Sequence, residues 1–206
     1  FIAAAIPFAG EPWDILAKRA KISSAVPFGS VLTLPATGSE MNSGAVITLR
    51  ASNDKLAFSN GLLFPRFSVL DPTKTYTLPA RQVANGVVDA FVHITEQYLT
   101  YPVGALVQDG YAEAVMKALV KLAGTFDRHG DPAWQQNLMW AANQALSGII
   151  GVGVPQDWAT HRIAVELTAL WGIDHGRTLA IIQPALLREL IEFKREKLEQ
   201  LGSEVF

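Results

Sequence analysis

Pro79-Ala-Arg-Gln-Val-Ala-Asn-Gly-Val-Val-Asp-Ala-Phe-Val-His-Ile-Thr-Glu-Gln-Tyr-Leu99 decides the fold of this chain. Val83, Val87, Val88, Phe91, Ile94, Tyr98 and Leu99 recur at helical spacing and cover a wide apolar face, while Gln82, Asn85, Asp89, His93, Glu96 and Gln97 fall on a narrow polar stripe. The spacing predicts one amphipathic helix from Pro79 to Leu99. Within the stripe, Asp89 and His93 stand four residues apart and therefore one above the other on the same face. Such a pair is either a solvated piece of stripe or half of a metal site, and the pair alone does not choose.

Working outward, everything after Leu78 reads as helix and every strand signal lies before Pro72. A helix is expected from Asp109 to Leu122, and another after Asp131-Pro132, an N-cap aspartate with proline at the first helical position. This third helix carries Trp134, Leu138, Met139, Trp140, Ala145, Leu146 and Ile149 and stops at the glycines that follow. A helix bearing His161 comes next. The segment after Asp174 is expected to kink or split at Pro184, leaving an exposed helix rich in Arg, Lys and Glu that runs to Leu201.

Upstream, Ser30 to Leu34, Ala45 to Leu49 and Phe67 to Leu70 read as strands, with a turn at Ser52-Asn53-Asp54 and a return strand from Lys55 to Phe58. A helix is expected from Pro12 to Arg19. The fold class is therefore α+β, mainly α: residues 1–76 have α/β character and residues 77–206 are all helical.

His161 and His175 are 14 residues apart, which a continuous helix would stretch to about 21 Å. One ion cannot bind both across that gap, because metal–nitrogen bonds are only about 2.0–2.1 Å long. Trp171-Gly172-Ile173-Asp174 offers a break: a glycine suited to a helix C-terminus, then an aspartate suited to the next N-cap. His175 then falls in a first turn. Otherwise His161 is a hydrogen-bonded core histidine and His175 a capping-region residue, and the residues themselves leave both readings open. His129, in Asp127-Arg-His-Gly-Asp-Pro132, is a loop residue.

With 206 residues, half of them hydrophobic, the chain can bury a substantial core. A net charge of −2 without a basic cluster gives no support to nucleic-acid or membrane-surface partners. The absence of cysteine removes disulfides and thiolate metal sites and fits a reducing compartment such as the cytoplasm. No apolar run approaches membrane-spanning length. The opening Phe1-Ile-Ala-Ala-Ala-Ile-Pro7 has neither the methionine nor the basic n-region of a signal peptide and reads as the interior of a longer sequence.

Two segments compete as nucleotide sites. Gly148-Ile-Ile-Gly151-Val-Gly153 follows a helix and runs into Pro155, whereas a dinucleotide fingerprint needs strand, glycine turn and helix; it is a helix terminator. Thr33-Leu-Pro-Ala-Thr37-Gly38-Ser39-Glu40 follows a strand and offers hydroxyls and backbone N–H groups to a phosphate or ribose.

Leu34-Pro-Ala-Thr-Gly-Ser-Glu40, Leu70-Asp-Pro72, Leu78-Pro79, Gln82 to His93, Pro155-Gln-Asp-Trp-Ala-Thr-His161, Glu166-Leu-Thr-Ala169 and Gly172-Ile-Asp-His175 together resemble the iron-containing (group III) alcohol dehydrogenase family. The likeness covers almost the whole chain, and the branch it is most similar to is that of the NADP-dependent aldehyde reductases and butanol dehydrogenases. The resemblance implies the remnant of an α/β nucleotide-binding domain followed by a helical, dehydroquinate synthase-like metal-binding domain. It implies that Asp89, His93, His161 and His175 hold a divalent metal, Fe²⁺ or Zn²⁺. It carries Thr33, Thr37 and Ser39 over as contacts to NADP or NAD, with Lys55 nearby. The activity implied is metal-assisted hydride transfer between primary alcohols and aldehydes, in a homodimer.

Two departures from the family pattern stand out. Relatives often place a second histidine four residues after the one matched by His161; here that position is Val165, which cannot relay a proton, so no catalytic acid or base is assigned. The family's amino-terminal glycine-rich loop has no counterpart in these residues and the helical part is short at its carboxyl end. The chain is accordingly expected to be a fragment, inactive by itself, with weak or absent cofactor binding. A helical metal-binding or assembly module without catalysis is the alternative, and a dehydroquinate-synthase-like lyase a lesser one, against which the Leu34 to Glu40 turn argues.

Overall fold

The computed structural model describes residues 1–206. The expected class is the one observed: α+β and mainly α. Two one-turn helices, α1 (Ile2–Ala5) and α2 (Asp14–Ala17), precede four short strands, β1 (Ser30–Val31), β2 (Gly44–Leu49), β3 (Asp54–Ser59) and β4 (Ser68–Val69). β2 and β3 form an antiparallel hairpin in which Thr48 faces Lys55, and β1 pairs with β4 in parallel. Asn53 takes φ +58° at the hairpin turn, a conformation asparagine tolerates.

Three sequence expectations shorten here. The helix expected from Pro12 to Arg19 is a single turn, because Arg19 itself is left-handed (φ +53°) and ends it. The strand expected from Ser30 to Leu34 keeps two residues. Its ladder closes with Leu32 N–H donating to Val69, after which the chain turns into the Thr33–Glu40 loop. Its partner, expected over Phe67 to Leu70, shortens with it to Ser68–Val69.

Six helices follow: α3 (Ala80–Tyr98), α4 (Leu106–Gly124), α5 (Pro132–Leu146), α6 (Ala159–Trp171), α7 (His175–Glu189) and α8 (Ile191–Val205). Asp131 caps α5 through Ala133 N–H, with Pro132 in the first turn. The glycines after Leu146 end that helix, two of them at positive φ. Helix α3 is the axis of the fold and packs against α4, α5, α6 and α7. Its apolar face (Val83, Val87, Ala90, Ile94) meets Met116 and Leu119 of α4 and Leu138 of α5. On another side Val92 packs with Ala164 and Leu179.

Surrounded in this way, the polar stripe of α3 from Asp89 onward is interior rather than solvated: Asp89, His93, Glu96 and Gln97 are each no more than 5% exposed, while Gln82 and Asn85 nearer the helix start are half-buried. Gly86 allows the Thr33–Glu40 loop to lie on this helix, since a Cβ there would stand 2.3 Å from the Pro35 carbonyl oxygen.

The carboxyl-terminal helices depart from expectation in two respects. Helix α7 runs through Pro184 and breaks at Leu190 instead; Ala180, whose carbonyl the proline leaves without its intrahelical donor, is exposed to water. Helix α8 is not simply an exposed charged rod. Lys194 is buried as it donates to the Leu99 carbonyl and to Asp157, and Lys197 is buried as it binds Asp109 and lies over the Tyr98 ring. No helix is long and apolar enough to cross a membrane.

Candidate metal centre

Three helices bring their histidines to one carboxylate. Asp89 Oδ1 lies 3.4 Å from Nε2 of His93, 3.3 Å from Nε2 of His161 and 3.8 Å from Nε2 of His175. The ligand atoms of Asp89, His161 and His175 all fall within 4.8 Å of one another. His93 stands outside that mutual set but stacks on His161, with ring centroids 4.6 Å apart and planes within 13°. The Trp158 edge closes against both rings.

The chain break that permits this convergence is the one the sequence offers. Gly172 ends α6 in the left-handed region (φ +64°), and His175 opens α7. Asp174, however, makes no side-chain cap. Its Oδ2 accepts from Asn85 at 3.0 Å and pairs with Arg81 at 3.0 Å, so it docks the α6–α7 corner onto α3.

Charge is distributed unevenly over the cluster. Burial opposes the Asp89 carboxylate, but His93, His175 and His161 outweigh it and hold the group below its ordinary value. Burial lowers His93 to about 4 and lowers His175, in both cases against the attraction of Asp89. For His161 burial is overcome by hydrogen bonds to Asp89 and Glu96, which push it up to about 9.

The donors fit a divalent ion of the Fe²⁺ or Zn²⁺ type: one carboxylate oxygen with three imidazole nitrogens, two of those imidazoles already neutral. The Nδ1 atoms of His93 and His175 are buried without hydrogen-bond partners.

The residues matched to cofactor contacts are arranged differently. Thr33, Thr37 and Ser39 are exposed on the loop laid over α3 and take no part in the cluster. Lys55 on β3 is half-buried, and its ammonium is disfavoured by burial while Asp89 draws it the other way. Val165 sits one turn beyond His161 on α6.

Glu96 was not singled out by sequence reading except as a member of the stripe. Its carboxylate accepts from Nδ1 of His161 and from backbone N–H groups at the start of α6. Its spacing from Asp89, seven residues along α3, placed it on the same face, but nothing local indicated a partner 65 residues away.

Residues 83–206 match the Fe-containing alcohol dehydrogenase family, C-terminal, and residues 1–72 match iron-containing alcohol dehydrogenase. The chain is 52% identical over 217 residues to the NADPH-dependent aldehyde reductase YqhD of Escherichia coli, a match covering 100% of this chain and 54% of that protein. It is 40% identical over 184 residues to NADH-dependent butanol dehydrogenase A of Clostridium acetobutylicum, covering 89% of this chain and 47% of that one. The crystal structure of E. coli YqhD superimposes with a TM-score of 0.95 at 52% identity, over 98% of this chain and 53% of that chain. That of NADH-dependent butanol dehydrogenase A from Thermotoga maritima gives 0.92 at 34% identity, over 99% and 52%. The chain thus spans about half the length of the curated relatives it matches.

Proposed function

The chain belongs to the iron-containing alcohol dehydrogenase family, and from that membership we propose that it serves a metal-dependent oxidoreductase interconverting primary alcohols and aldehydes by hydride transfer with NADP(H) or NAD(H). The observation that carries the reading is the convergence of three Nε2 atoms on the buried carboxylate of Asp89. Asp89, His93, His161 and His175 are the proposed ligands. A divalent ion held there supplies Lewis-acid polarisation of the substrate oxygen, provided a coordination position stays open.

The division of labour follows the chain. Residues 77–206 form the metal-binding domain, and residues 1–76 contribute to the cofactor-binding domain. Thr33, Thr37 and Ser39 present hydroxyls toward pyrophosphate and ribose from a loop that Gly86 holds against the metal-bearing helix. Lys55 extends from β3 to within electrostatic reach of Asp89 and His175, and so places a cation between the two parts. Val165 cannot relay a proton, so the proton that accompanies hydride transfer passes through water, the hydroxyls of substrate or cofactor, or a group outside these residues. The wider assignment, a cytoplasmic homodimer acting on short aldehydes, extends the same family reading.

The deciding assay is aldehyde-dependent NADPH oxidation by the whole protein. Activity should disappear on chelation and return with Fe²⁺ or Zn²⁺; turnover indifferent to chelator would overturn the proposal.

A second expectation concerns protons. Metal-free His161 holds its proton up to about pH 9, while its unfolded value is about 6.5. Its contribution to metal-free stability is therefore complete below about 6.5 and is lost as the pH rises through about 9. A cation needs the neutral ring, so metal binding at neutral pH should release a proton. Calorimetry in buffers of different ionisation enthalpy should show this release, and it should fade above about pH 9. Binding heats independent of the buffer would contradict it.

A further inference from the structure

We infer that Glu96 is the positioning residue of the metal centre: one carboxylate on α3 fixes both the location of His161 and the tautomer that leaves its Nε2 free. The inference rests on the metal-site reading above. Helix α6 starts without a side-chain cap from its own N-cap residue, Trp158. The first N–H groups of a helix have no intrahelical acceptor and must find one elsewhere. Asp157 takes Ala159 N–H at 3.1 Å. Glu96 Oε1 takes the next two, Thr160 N–H at 2.6 Å and His161 N–H at 3.3 Å. The rest of the cap on α6 is thus supplied from a different helix, and it reaches the backbone of the ligand residue itself.

The second oxygen of the same carboxylate accepts from Nδ1 of His161. Imidazole is bound to a metal through one nitrogen while the other donates, and the partner of the donor decides which is which. With Nδ1–H given to Glu96, Nε2 is the nitrogen that faces the cluster, where it lies 3.3 Å from Asp89 Oδ1. His93 and His175 have no such partner on Nδ1, so Glu96 acts on one of the three histidines alone. The side chain of Glu96 is 5% exposed, and neither oxygen is left over for another role.

Glu96→Gln separates the two tasks while keeping the shape. An amide has one acceptor and one donor end. If its oxygen faces the α6 backbone, its NH₂ meets Nδ1 and drives the His161 proton to Nε2, which blocks ligation. If its oxygen faces Nδ1–H, its NH₂ opposes the backbone N–H groups of Thr160 and His161. Chelator competition with Zn²⁺ should show binding about 10–100-fold weaker than wild type, the range found when such supporting partners are removed.

Asp157→Ala is the comparison, because it loosens the same turn without touching His161. It should lower the melting temperature yet leave the zinc Kd within a few-fold of wild type. In zinc-loaded wild type, ¹⁵N NMR should show a slowly exchanging proton on Nδ1 of His161. If wild type binds zinc and Glu96→Gln binds it equally well, or if Asp157→Ala loses the same affinity, the positioning role fails while the metal centre stands. A His161 with no Nδ1 proton in the zinc-loaded protein overturns it as well. If wild type binds no zinc or iron, the metal centre and this inference fall together.

Discussion

Asp89→Ala is expected to abolish stoichiometric metal binding and, with it, aldehyde-dependent NADPH oxidation by the whole protein. Asp89 is the one group to which all three histidine Nε2 atoms turn, at 3.3 to 3.8 Å, and it is 4% exposed. Its removal takes away a ligand and the only anion in the cluster, leaving imidazoles to bear a divalent charge by themselves. Loss of a supporting partner costs about 10–100-fold in affinity, so loss of a direct anionic ligand should exceed about a hundredfold. The Lewis acid is worth several kcal/mol at the transition state, hence about 10³-fold or more in rate at 1.36 kcal/mol per tenfold. Asp89→Asn retains the packing and removes the charge, so it should fail in the same way. Metal analysis after dialysis is the direct check, and an Asp89→Asn protein that keeps a full complement of ion would refute the assignment.

How much of this could be read from the sequence depends on the distance over which each feature is decided. Helix α3 was legible because its apolar residues repeat within a single element, and the observed Ala80–Tyr98 differs from the expected span by one residue at each end. The α6–α7 break was legible because a left-handed cap needs glycine and Gly172 is one. What the pattern could not tell was the environment of the stripe. Gln97, polar and 3% exposed, donates to carbonyls of His93 and Ala145, the second of them 48 residues away.

The same limit explains the remaining differences. Asp174 follows a helix break and has the composition of an N-cap, but its partners Asn85 and Arg81 belong to α3 and outcompete the local role. Lys194 and Lys197 carry the signature of a solvated helix and are buried only because the Leu99 carbonyl, Asp157 and Asp109 receive them. Ser30 to Leu34 has strand composition throughout, yet a ladder lasts only as long as its neighbour, and β4 offers two residues. The proposed metal ligands rest on family resemblance, since an Asp-x-x-x-His pair and two distant histidines do not by spacing alone declare a common target.

Gly176→Ala should be damaging out of proportion to its size, for the position of a proposed ligand as well as for stability. Alanine is normally favoured over glycine inside a helix by about 1 kcal/mol, so the local effect would be stabilising. Here the added Cβ would stand 2.6 Å from the Asn85 carbonyl oxygen and 2.7 Å from Asn85 Cα. Both are backbone atoms of α3, which is packed on several sides and cannot yield. Carbon atoms pack at about 3.5–4.0 Å, so the start of α7 must retreat by roughly 1 Å.

His175 is the residue immediately before Gly176 and retreats with it from Asp89. Asp174, one residue earlier still, loses its grip on Asn85 and Arg81. Overpacking of this kind costs about 1–3 kcal/mol, which in a chain of this size lowers the melting temperature by about 2–4 °C per kcal/mol. Zinc affinity should fall beyond that loss of stability, because one ligand is displaced even in the molecules that remain folded. Gly202→Ala on α8, where a Cβ meets nothing within 4 Å, should be neutral or slightly stabilising and leave metal binding unchanged. Should Gly176→Ala melt and bind zinc like wild type, the contact between α7 and Asn85 does not set the position of His175.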